Sequence, residues 1–225
     1  MKLQFCGAAR EVTGSSHLIT LDSGFKILLD CGLYQGSAQN MRDFNPNWYF
    51  KPEEIDCMIL SHAHIDHSGR IPYLVKSGFS GPIHCTHATR SLCAFMLLDS
   101  AKIQEREERL PLYNADDVTA AMQLFQTYGY QRWIKIHDDV EVLFRDAGHI
   151  LGSASVTLKI RENGRTIFFG FTGDIGRPNR PILRDPQPMP EVDYLICEST
   201  YGDKEHIEQP QEIERFLDII HDTCI

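Results

Sequence analysis

Three histidines and one aspartate within six residues constrain the fold of this chain more than any other feature. The run SHAHIDHSG, which starts at Ser61, directly follows the apolar stretch at residues 57–60. An apolar stretch of this length that ends at a glycine-containing turn is typical of a buried strand followed by a loop. We therefore predict that a core strand ends here and presents four polar side chains on its loop.

The chemistry of these side chains predicts a metal centre. His62 and His64 are two residues apart in an extended segment, so their rings point to the same side and can reach one ion. Asp66 and His67 follow after the chain turns and can serve a second ion nearby. Imidazole and carboxylate groups suit zinc and related transition metals, whereas calcium and magnesium prefer oxygen ligands. The alternative is a histidine-rich surface loop without metal, and the absence of Lys or Arg among these side chains argues against it.

The spacing HxHxDH resembles the signature of the metallo-β-lactamase superfamily, and three other motifs agree with it. His149 lies in DAGHILGSA after a predicted strand at residues 140–144, and Asp174 lies in FTGDIG after another at residues 166–170. Asp30 lies in LLDCG, which is similar to an early motif of the family. The resemblance implies that Asp30 supports the site through hydrogen bonds rather than as a ligand.

The same resemblance implies a dinuclear zinc site, with manganese as the alternative metal. The first ion would be held by His62, His64 and His149. The second would be held by Asp66 and His67, and Asp174 would bridge the two ions. Such a site would ionise a water molecule for attack on phosphorus, so Asp66 and Asp174 are also predicted to be catalytic.

The motif YLICESTYGD, which contains Glu198, is similar to the acidic motif of the β-CASP group, the nucleic-acid-processing branch of the superfamily. Residues 7–18 and 97–105 are also similar to that group, the second segment especially to its bacterial members. The resemblance implies that Glu198 is catalytic and hydrogen-bonds a histidine that protonates the leaving group. The alternative is a carboxylate that caps the turn after it.

β-CASP proteins carry two further histidine motifs after the acidic one, beyond an inserted cap domain. Only His206 and His221 follow Glu198 in this sequence, and neither has the expected context. His221 follows an apolar stripe at helical spacing, which predicts a helix-surface residue. We therefore expect residues 1–205 to be the amino-terminal part of a metallo-β-lactamase domain, truncated before its cap and with an incomplete active site. Residues 206–225 would start a helix towards that cap.

Apolar runs and turn residues predict two groups of strands separated by helices. The strands are expected at residues 3–7, 17–21, 26–30 and 57–60, and then at residues 134–143, 155–160, 166–171 and 194–197. Helices are predicted at residues 88–109 and 114–128, the second begun by Asn114 and ended by Gly129. A proline-rich loop at residues 177–190 follows Asp174. This order suggests a mixed α/β fold, the αββα sandwich of the superfamily.

Composition predicts a cytoplasmic globular protein. The 225 residues are 42% hydrophobic, and we expect no membrane partner because no stretch resembles a membrane span or a signal peptide. Seven scattered cysteines without a C-x-x-C pair are typical of a reducing compartment. A net charge of −9 argues against a nucleic-acid partner, although it counts ligand carboxylates whose charge bound ions would offset.

These observations and the resemblance predict a dinuclear zinc-dependent phosphodiester hydrolase, more specifically a ribonuclease of RNA processing or decay. Single-stranded RNA is the expected partner in preference to DNA, and a homodimer of the full-length protein is compatible with the resemblance. Two alternatives use the same centre: a glyoxalase II-like thioester or lactone hydrolase, and a non-catalytic metal-binding scaffold. The intact set of predicted ligands argues against the scaffold.

Overall fold

The computed structural model describes residues 1–107, 111–204 and 209–224, and its first sheet contains six strands in the order of the chain. They are β1 (Lys2–Gly7), β2 (Ser16–Thr20), β3 (Lys26–Leu29), β4 (Cys57–Ile59), β5 (Ile83–Thr86) and β6 (Phe125–Tyr128). Strands β1 to β3 are antiparallel, whereas β3 to β6 run parallel. Parallel neighbours need crossover connections, and helices occupy these crossovers. They are α1 (Ala38–Phe44), α2 (Ile65–Ser68), α3 (Ile71–Lys76), α4 (His87–Glu107) and α5 (Ala115–Met122), with a 3₁₀ turn at Pro52–Glu54.

Five later strands form the second sheet. They are β7 (Trp133–His137), β8 (Val140–Asp146), β9 (Ala154–Glu162), β10 (Arg165–Phe171) and β11 (Tyr194–Ile196). Their spatial order is β11-β10-β9-β8-β7, and every pairing is antiparallel except that of β10 with β11. Asn163 and Gly164 join β9 to β10, and their φ angles of 52° and 73° suit a two-residue hairpin turn. The antiparallel strands of this sheet therefore need no crossover helix.

Two apolar cores hold the layers together. Between the sheets, Ile27 and Ile59 of the first sheet share a core with Val142 and Phe169 of the second. Residues that alternate with Ile27 and Ile59 along their strands point to the opposite face of the first sheet, where they pack with the helices. This second core includes Leu28, Met58, Leu74, Ile83, Cys93 and Leu97.

The remaining faces are polar or exposed. On the outward face of the second sheet, Glu141 pairs with Lys159 at 3.1 Å and with Arg161 at 2.7 Å. The last described helix, α6 (Gln209–Cys224), has exposed side chains throughout residues 213–224. The described residues thus show both sheets and the helical layer on the first sheet, which confirms the mixed α/β class. None of the described helices combines the length and apolar character needed to cross a bilayer.

The structure corrects the helix predicted at residues 114–128. Its start is confirmed, because the Asn114 side chain accepts a hydrogen bond from the Asp117 N–H at 3.0 Å, but the helix ends at Met122. Residues 125–128 instead form β6, which pairs with β5. Aromatic and β-branched side chains favour a strand here, and the edge of the sheet supplies a partner that local propensity cannot reveal.

The strand predicted at residues 134–143 is wrong in its extent, whereas the strand predicted at residues 140–144 is confirmed as part of β8. The longer stretch is divided into β7 and β8 by a turn at Asp138 and Asp139, and the two strands pair as a hairpin. Aspartate is depleted in strands and common in turns, so Asp138 and Asp139 indicate a turn between two strands.

Buried His84 in β5 makes the stability of the fold depend on pH. Its side chain is 3% exposed, its Nδ1 lies 3.1 Å from the Tyr128 hydroxyl, and burial lowers its pKa from 6.5 to about 4. Because the unfolded chain keeps the ordinary pKa, it binds a proton that the folded state resists, so acid favours unfolding. This contribution to stability is fully present above pH 6.5 and is lost as the pH falls towards 4. We predict that His84→Gln reduces the loss of unfolding free energy between about pH 7 and pH 4.5 by roughly 2 kcal/mol.

Urea unfolding at the two pH values measures this difference. The matched control is His87→Gln, because His87 is exposed at the start of α4 and should leave the wild-type pH dependence unchanged. Equal pH dependence of wild type and His84→Gln would contradict the prediction.

Candidate metal centre

Strand direction brings the predicted site residues to one edge of the sandwich. In the first sheet, β3 and β4 are parallel, so Asp30 and the loop after β4 leave the sheet at the same end. In the second sheet, β8 and β10 both run antiparallel to β9, and β11 runs parallel to β10. His149, Asp174 and Glu198 therefore also emerge together. The topology gathers residues that are more than a hundred positions apart in the sequence.

Three imidazoles and one carboxylate form a first cluster. His64 Nδ1 lies 3.1 Å from His62 Nε2 and 3.0 Å from His149 Nε2. Asp174 Oδ2 lies 3.7 Å from His62 Nε2 and 3.4 Å from His149 Nε2, and all four ligand atoms lie within 4.8 Å of one another. Ligands placed tetrahedrally at roughly 2.0–2.1 Å from a zinc ion are about 3.3–3.4 Å apart. The first cluster therefore fits one transition-metal ion.

A second cluster lies on the other side of Asp174. His67 Nε2 is 3.3 Å from Asp174 Oδ1 and 3.8 Å from Asp66 Oδ2. The two oxygens of Asp174 thus face different clusters, which is the arrangement that a carboxylate bridging two ions requires. The structure brings together all six residues predicted as metal ligands, and their assignment to two ions stays a prediction.

The histidines of the two clusters differ in protonation. Burial, with smaller effects from neighbouring imidazoles, lowers the pKa of His62 well below 6.5, and burial together with His149 also lowers the pKa of His64. These rings are neutral near pH 7, as metal ligands must be. Burial also lowers the pKa of His67, but hydrogen bonds to Asp174 and Asp30 outweigh it and give a pKa of about 10. In the metal-free chain His67 is therefore a cation between carboxylates, and an ion in the second cluster would replace its Nε2 proton.

Asp30 holds the second cluster from behind. Its carboxylate is fully buried and accepts hydrogen bonds from the Ser61 N–H and hydroxyl, each at 2.8 Å, and from the Ser15 hydroxyl at 3.4 Å. Its Oδ2 also lies 2.7 Å from His67 Nδ1. Nδ1 must carry the proton of this bond, so Nε2 is the ring atom directed at Asp66 and Asp174. Asp30 occupies the supporting position that its motif predicted.

The backbone behind this cluster is held by residues that the sequence analysis did not identify. The Ser15 N–H donates to the Asp66 carbonyl at 2.8 Å, and a Cβ on Gly32 would lie 1.7 Å from that same oxygen. The Arg70 Nε donates to the Gly32 carbonyl at 2.9 Å, and its guanidinium lies over the Phe44 ring at 4.3 Å. Arg70 is almost fully buried, although it directly follows the histidine motif as an apparently ordinary charged residue.

Glu198 lies beside the clusters but contacts backbone. One carboxylate oxygen accepts the Ile175 N–H at 2.7 Å, and the other accepts the Thr200 N–H at 3.4 Å. The second contact is the turn-capping role given as the alternative, whereas the catalytic role stays a prediction. His206 lies outside the described residues, and His221 is exposed on α6, as its spacing predicted.

A family model and several named relatives match this chain. A family model described as the metallo-beta-lactamase superfamily matches residues 9–210. The chain is 37% identical over 225 residues to a protein named as a ribonuclease from Thermus thermophilus. This match covers 99% of the chain and 49% of the relative. It is 36% identical over 202 residues to a transcription termination factor FttA from Cenarchaeum symbiosum, covering 88% of the chain and 30% of the relative. It is 31% identical over 220 residues to an endoribonuclease from Yarrowia lipolytica, covering 96% of the chain and 26% of the relative.

The chain thus spans half or less of the length of these relatives. Among solved structures, the native FEZ-1 metallo-beta-lactamase from Legionella gormanii matches with a TM-score of 0.52 and 15% identity, over 80% of this chain and 64% of that one. A metallo-beta-lactamase from Cronobacter sakazakii matches with a TM-score of 0.50 and 20% identity, over 80% of this chain and 58% of that one. At these identities the similarity shows the fold alone.

Removing the charge of Asp30 should weaken the second cluster selectively. We predict that Asp30→Asn lowers the affinity of the second cluster for zinc roughly 10–100-fold, because a neutral amide replaces the charged acceptor that fixes the ring of His67. The first cluster should be weakened less, since Asp30 reaches it only through the Ser61 hydroxyl, which lies 3.0 Å from His62 Nδ1. Competition titration with a chromophoric chelator resolves the two binding steps.

The matched control is Asp116→Asn, which removes an exposed aspartate in the first turn of α5. It should leave both steps unchanged. Equal weakening of both clusters by Asp30→Asn, or no weakening at all, would show that Asp30 does not position His67.

Proposed function

The chain belongs to the metallo-β-lactamase superfamily and to its β-CASP group, and on this premise we propose that it carries the metal centre of a dinuclear zinc-dependent phosphodiesterase acting on RNA. The observation that carries the proposal is the position of Asp174, whose two oxygens face separate clusters of ligand atoms. The donor set of imidazole nitrogens and carboxylate oxygens suits zinc, with manganese as the alternative. RNA is the proposed substrate because two of the relatives are named as a ribonuclease and an endoribonuclease.

Each residue of the site has a role in this proposal. His62, His64 and His149 would hold one ion, Asp66 and His67 the other, and Asp174 would contact both. When bound, two such ions lower the pKa of a water molecule and offset the charge that develops on a phosphodiester. Although burial raises the pKa of Asp174, the hydrogen bond to His67 and the nearby imidazoles lower it further, so this carboxylate stays charged.

Glu198 has two roles in the proposal. By accepting the Ile175 and Thr200 N–H groups, it fixes the segment that follows Asp174. A carboxylate has about four acceptor positions, so Glu198 keeps capacity to orient the donor that protonates the leaving group.

We also propose a cytoplasmic location. All seven cysteines are free, and five of them are buried. Burial raises the pKa of Cys57 and of Cys93 to about 12, so these thiols stay protonated and unreactive. Free cysteines in this number suit a reducing compartment.

The first prediction from this proposal concerns metal content. We expect the chain, after dialysis against zinc and then buffer, to retain one ion tightly and a second more weakly. The first cluster offers three imidazoles and a carboxylate, whereas the second offers one imidazole and one carboxylate besides the shared Asp174. His64→Ala should remove the tight ion, while His87→Ala, at an exposed histidine, should retain it. Elemental analysis measures both, and absence of zinc uptake by the wild type would refute the proposed centre.

The second prediction concerns the reaction. Zinc-loaded protein should hydrolyse bis(p-nitrophenyl) phosphate, an activated phosphodiester whose leaving group needs no protonation. Asp66→Asn should lower this rate on the order of 10²-fold or more, because the second ion loses a ligand. Asp116→Asn should keep the wild-type rate, since Asp116 is exposed on α5.

A thioester substrate, S-lactoylglutathione, tests the glyoxalase II-like alternative in the same assay. We expect no hydrolysis of the thioester above the Asp66→Asn background. Thioester hydrolysis without phosphodiester hydrolysis would reject the phosphodiesterase proposal in favour of that alternative.

A further inference from the structure

A cavity of about 650 Å³ adjoins the metal centre on the side of His149. His149, Asp174 and Glu198 line it together with two arginines, Arg177 and Arg180. Both arginines are half-buried, and no hydrogen bond or ion pair among the described residues involves either guanidinium. Two cations thus face the cavity without pairing with the carboxylates that share it.

The segment that carries these arginines is fixed to the metal centre. The Gly176 N–H donates to the Ala147 carbonyl at 2.8 Å, next to the loop of His149. A Cβ on Gly176 would lie 1.8 Å from the Gly148 carbonyl oxygen, so the two loops pack backbone against backbone. Further along, the Gln187 N–H donates to the Asp146 carbonyl at 2.8 Å.

Prolines restrict the same segment from within. Pro178 directly follows Arg177, and Pro181 directly follows Arg180. A residue before proline is confined to extended backbone conformations, so fewer backbone states are available to each arginine. Between them, the Asn179 N–H donates to Asp185 Oδ1 at 2.7 Å. The backbone therefore presents both side chains from a fixed position, which lowers the ordering entropy of binding.

The chemistry of the cavity favours an anion with a planar or tetrahedral set of oxygens. A guanidinium offers parallel N–H donors that match phosphate oxygens in a bidentate way. The chain carries a net charge of −9, so a polyanion needs local cations to stay bound. Because Asp174 and Glu198 also line the cavity, a phosphate directly at the clusters needs bound metal ions, whereas a neighbouring phosphate can use the arginines.

We propose that Arg177 and Arg180 form a phosphate-binding subsite that holds a backbone phosphate of the substrate strand next to the phosphate at the metal centre. The inference rests on the proposed function and extends it, since it assigns the substrate class as a strand with several phosphates. The two arginines are positioning residues, because they hold a phosphate that does not react.

Equilibrium binding of a fluorescein-labelled hexauridylate to the zinc-loaded chain tests the subsite, with fluorescence anisotropy as the readout. The double variant Arg177→Gln/Arg180→Gln should bind roughly 10-fold more weakly at low salt. Its plot of log affinity against log salt concentration should be less steep by about 0.7, since the subsite holds one phosphate and each phosphate neutralised on a single strand contributes about 0.7. Arg177→Lys/Arg180→Lys should keep the wild-type slope and bind with an affinity between those of the wild type and the glutamine variant. Lysine keeps the charge but lacks the bidentate geometry of arginine.

The matched control is Arg165→Gln, at the start of β10 and therefore at the opposite end of the strand that leads to Asp174. It should keep the wild-type affinity and slope. A second probe with uncharged methylphosphonate linkages should bind wild type and double variant equally. Wild-type affinity and slope in the double variant would overturn the subsite, and so would failure of the wild type to bind hexauridylate.

The two proposals fail in different ways. Suppose that the zinc-loaded chain hydrolyses bis(p-nitrophenyl) phosphate and that the double variant binds hexauridylate with wild-type affinity. This result would overturn the subsite and leave the phosphodiesterase proposal standing. Absence of both hydrolysis and binding in the zinc-loaded wild type would overturn the proposed function as well.

Discussion

The candidate centre depends on the buried carboxylate of Asp30. A carboxylate removed from water is strongly destabilising unless hydrogen bonds replace its hydration. Here the Ser61 N–H and hydroxyl and the ring of His67 supply them, which ties the end of β3 to the loop after β4. Asp30 itself has a φ of 57°, a left-handed conformation that aspartate tolerates better than most residues. The same bonds that make burial of Asp30 tolerable also fix which nitrogen of His67 faces the site.

The second sheet joins this arrangement through short backbone contacts. The Ala154 N–H donates to the Ser61 carbonyl at 2.9 Å, and a Cβ on Gly173 would lie 2.7 Å from the Ser61 Cβ. Asp174 follows Gly173 directly, so its carboxylate reaches between the two clusters because the glycine lets the backbone come close. Ser61 therefore contacts the supporting residue of one cluster and the strand ends that carry the remaining ligands. The site is a property of the sheet–sheet junction rather than of one loop.

Local patterns predicted the parts of the site that are local in the sequence. His62 and His64 could be paired from their spacing, and α5 from its cap at Asn114. The side chains of residues 125–128 favour a strand, but their pairing with β5 could not be predicted in this way, because it depends on the edge that β5 offers. The burial of Arg70 could not be predicted either, because the backbone carbonyls and aromatic rings that surround it are distant in the sequence. His149 and Asp174 were placed by family resemblance, as their approach to the histidine loop is set by sheet topology.

Charge distribution explains how an acidic chain can suit an anionic substrate. The formal charge of −9 includes Asp66 and Asp174, whose oxygens face the ligand nitrogens and would be offset by bound ions. Unpaired cations in this region, Arg177 and Arg180, lie on a segment braced by prolines and backbone bonds beside the same carboxylates. A metal-free centre would repel a phosphate, whereas bound ions would offset the charge of Asp66 and Asp174 and leave the two arginines as cations beside them. On the proposed function, affinity for a polyanion would therefore depend on metal content, which the net charge of the chain does not include.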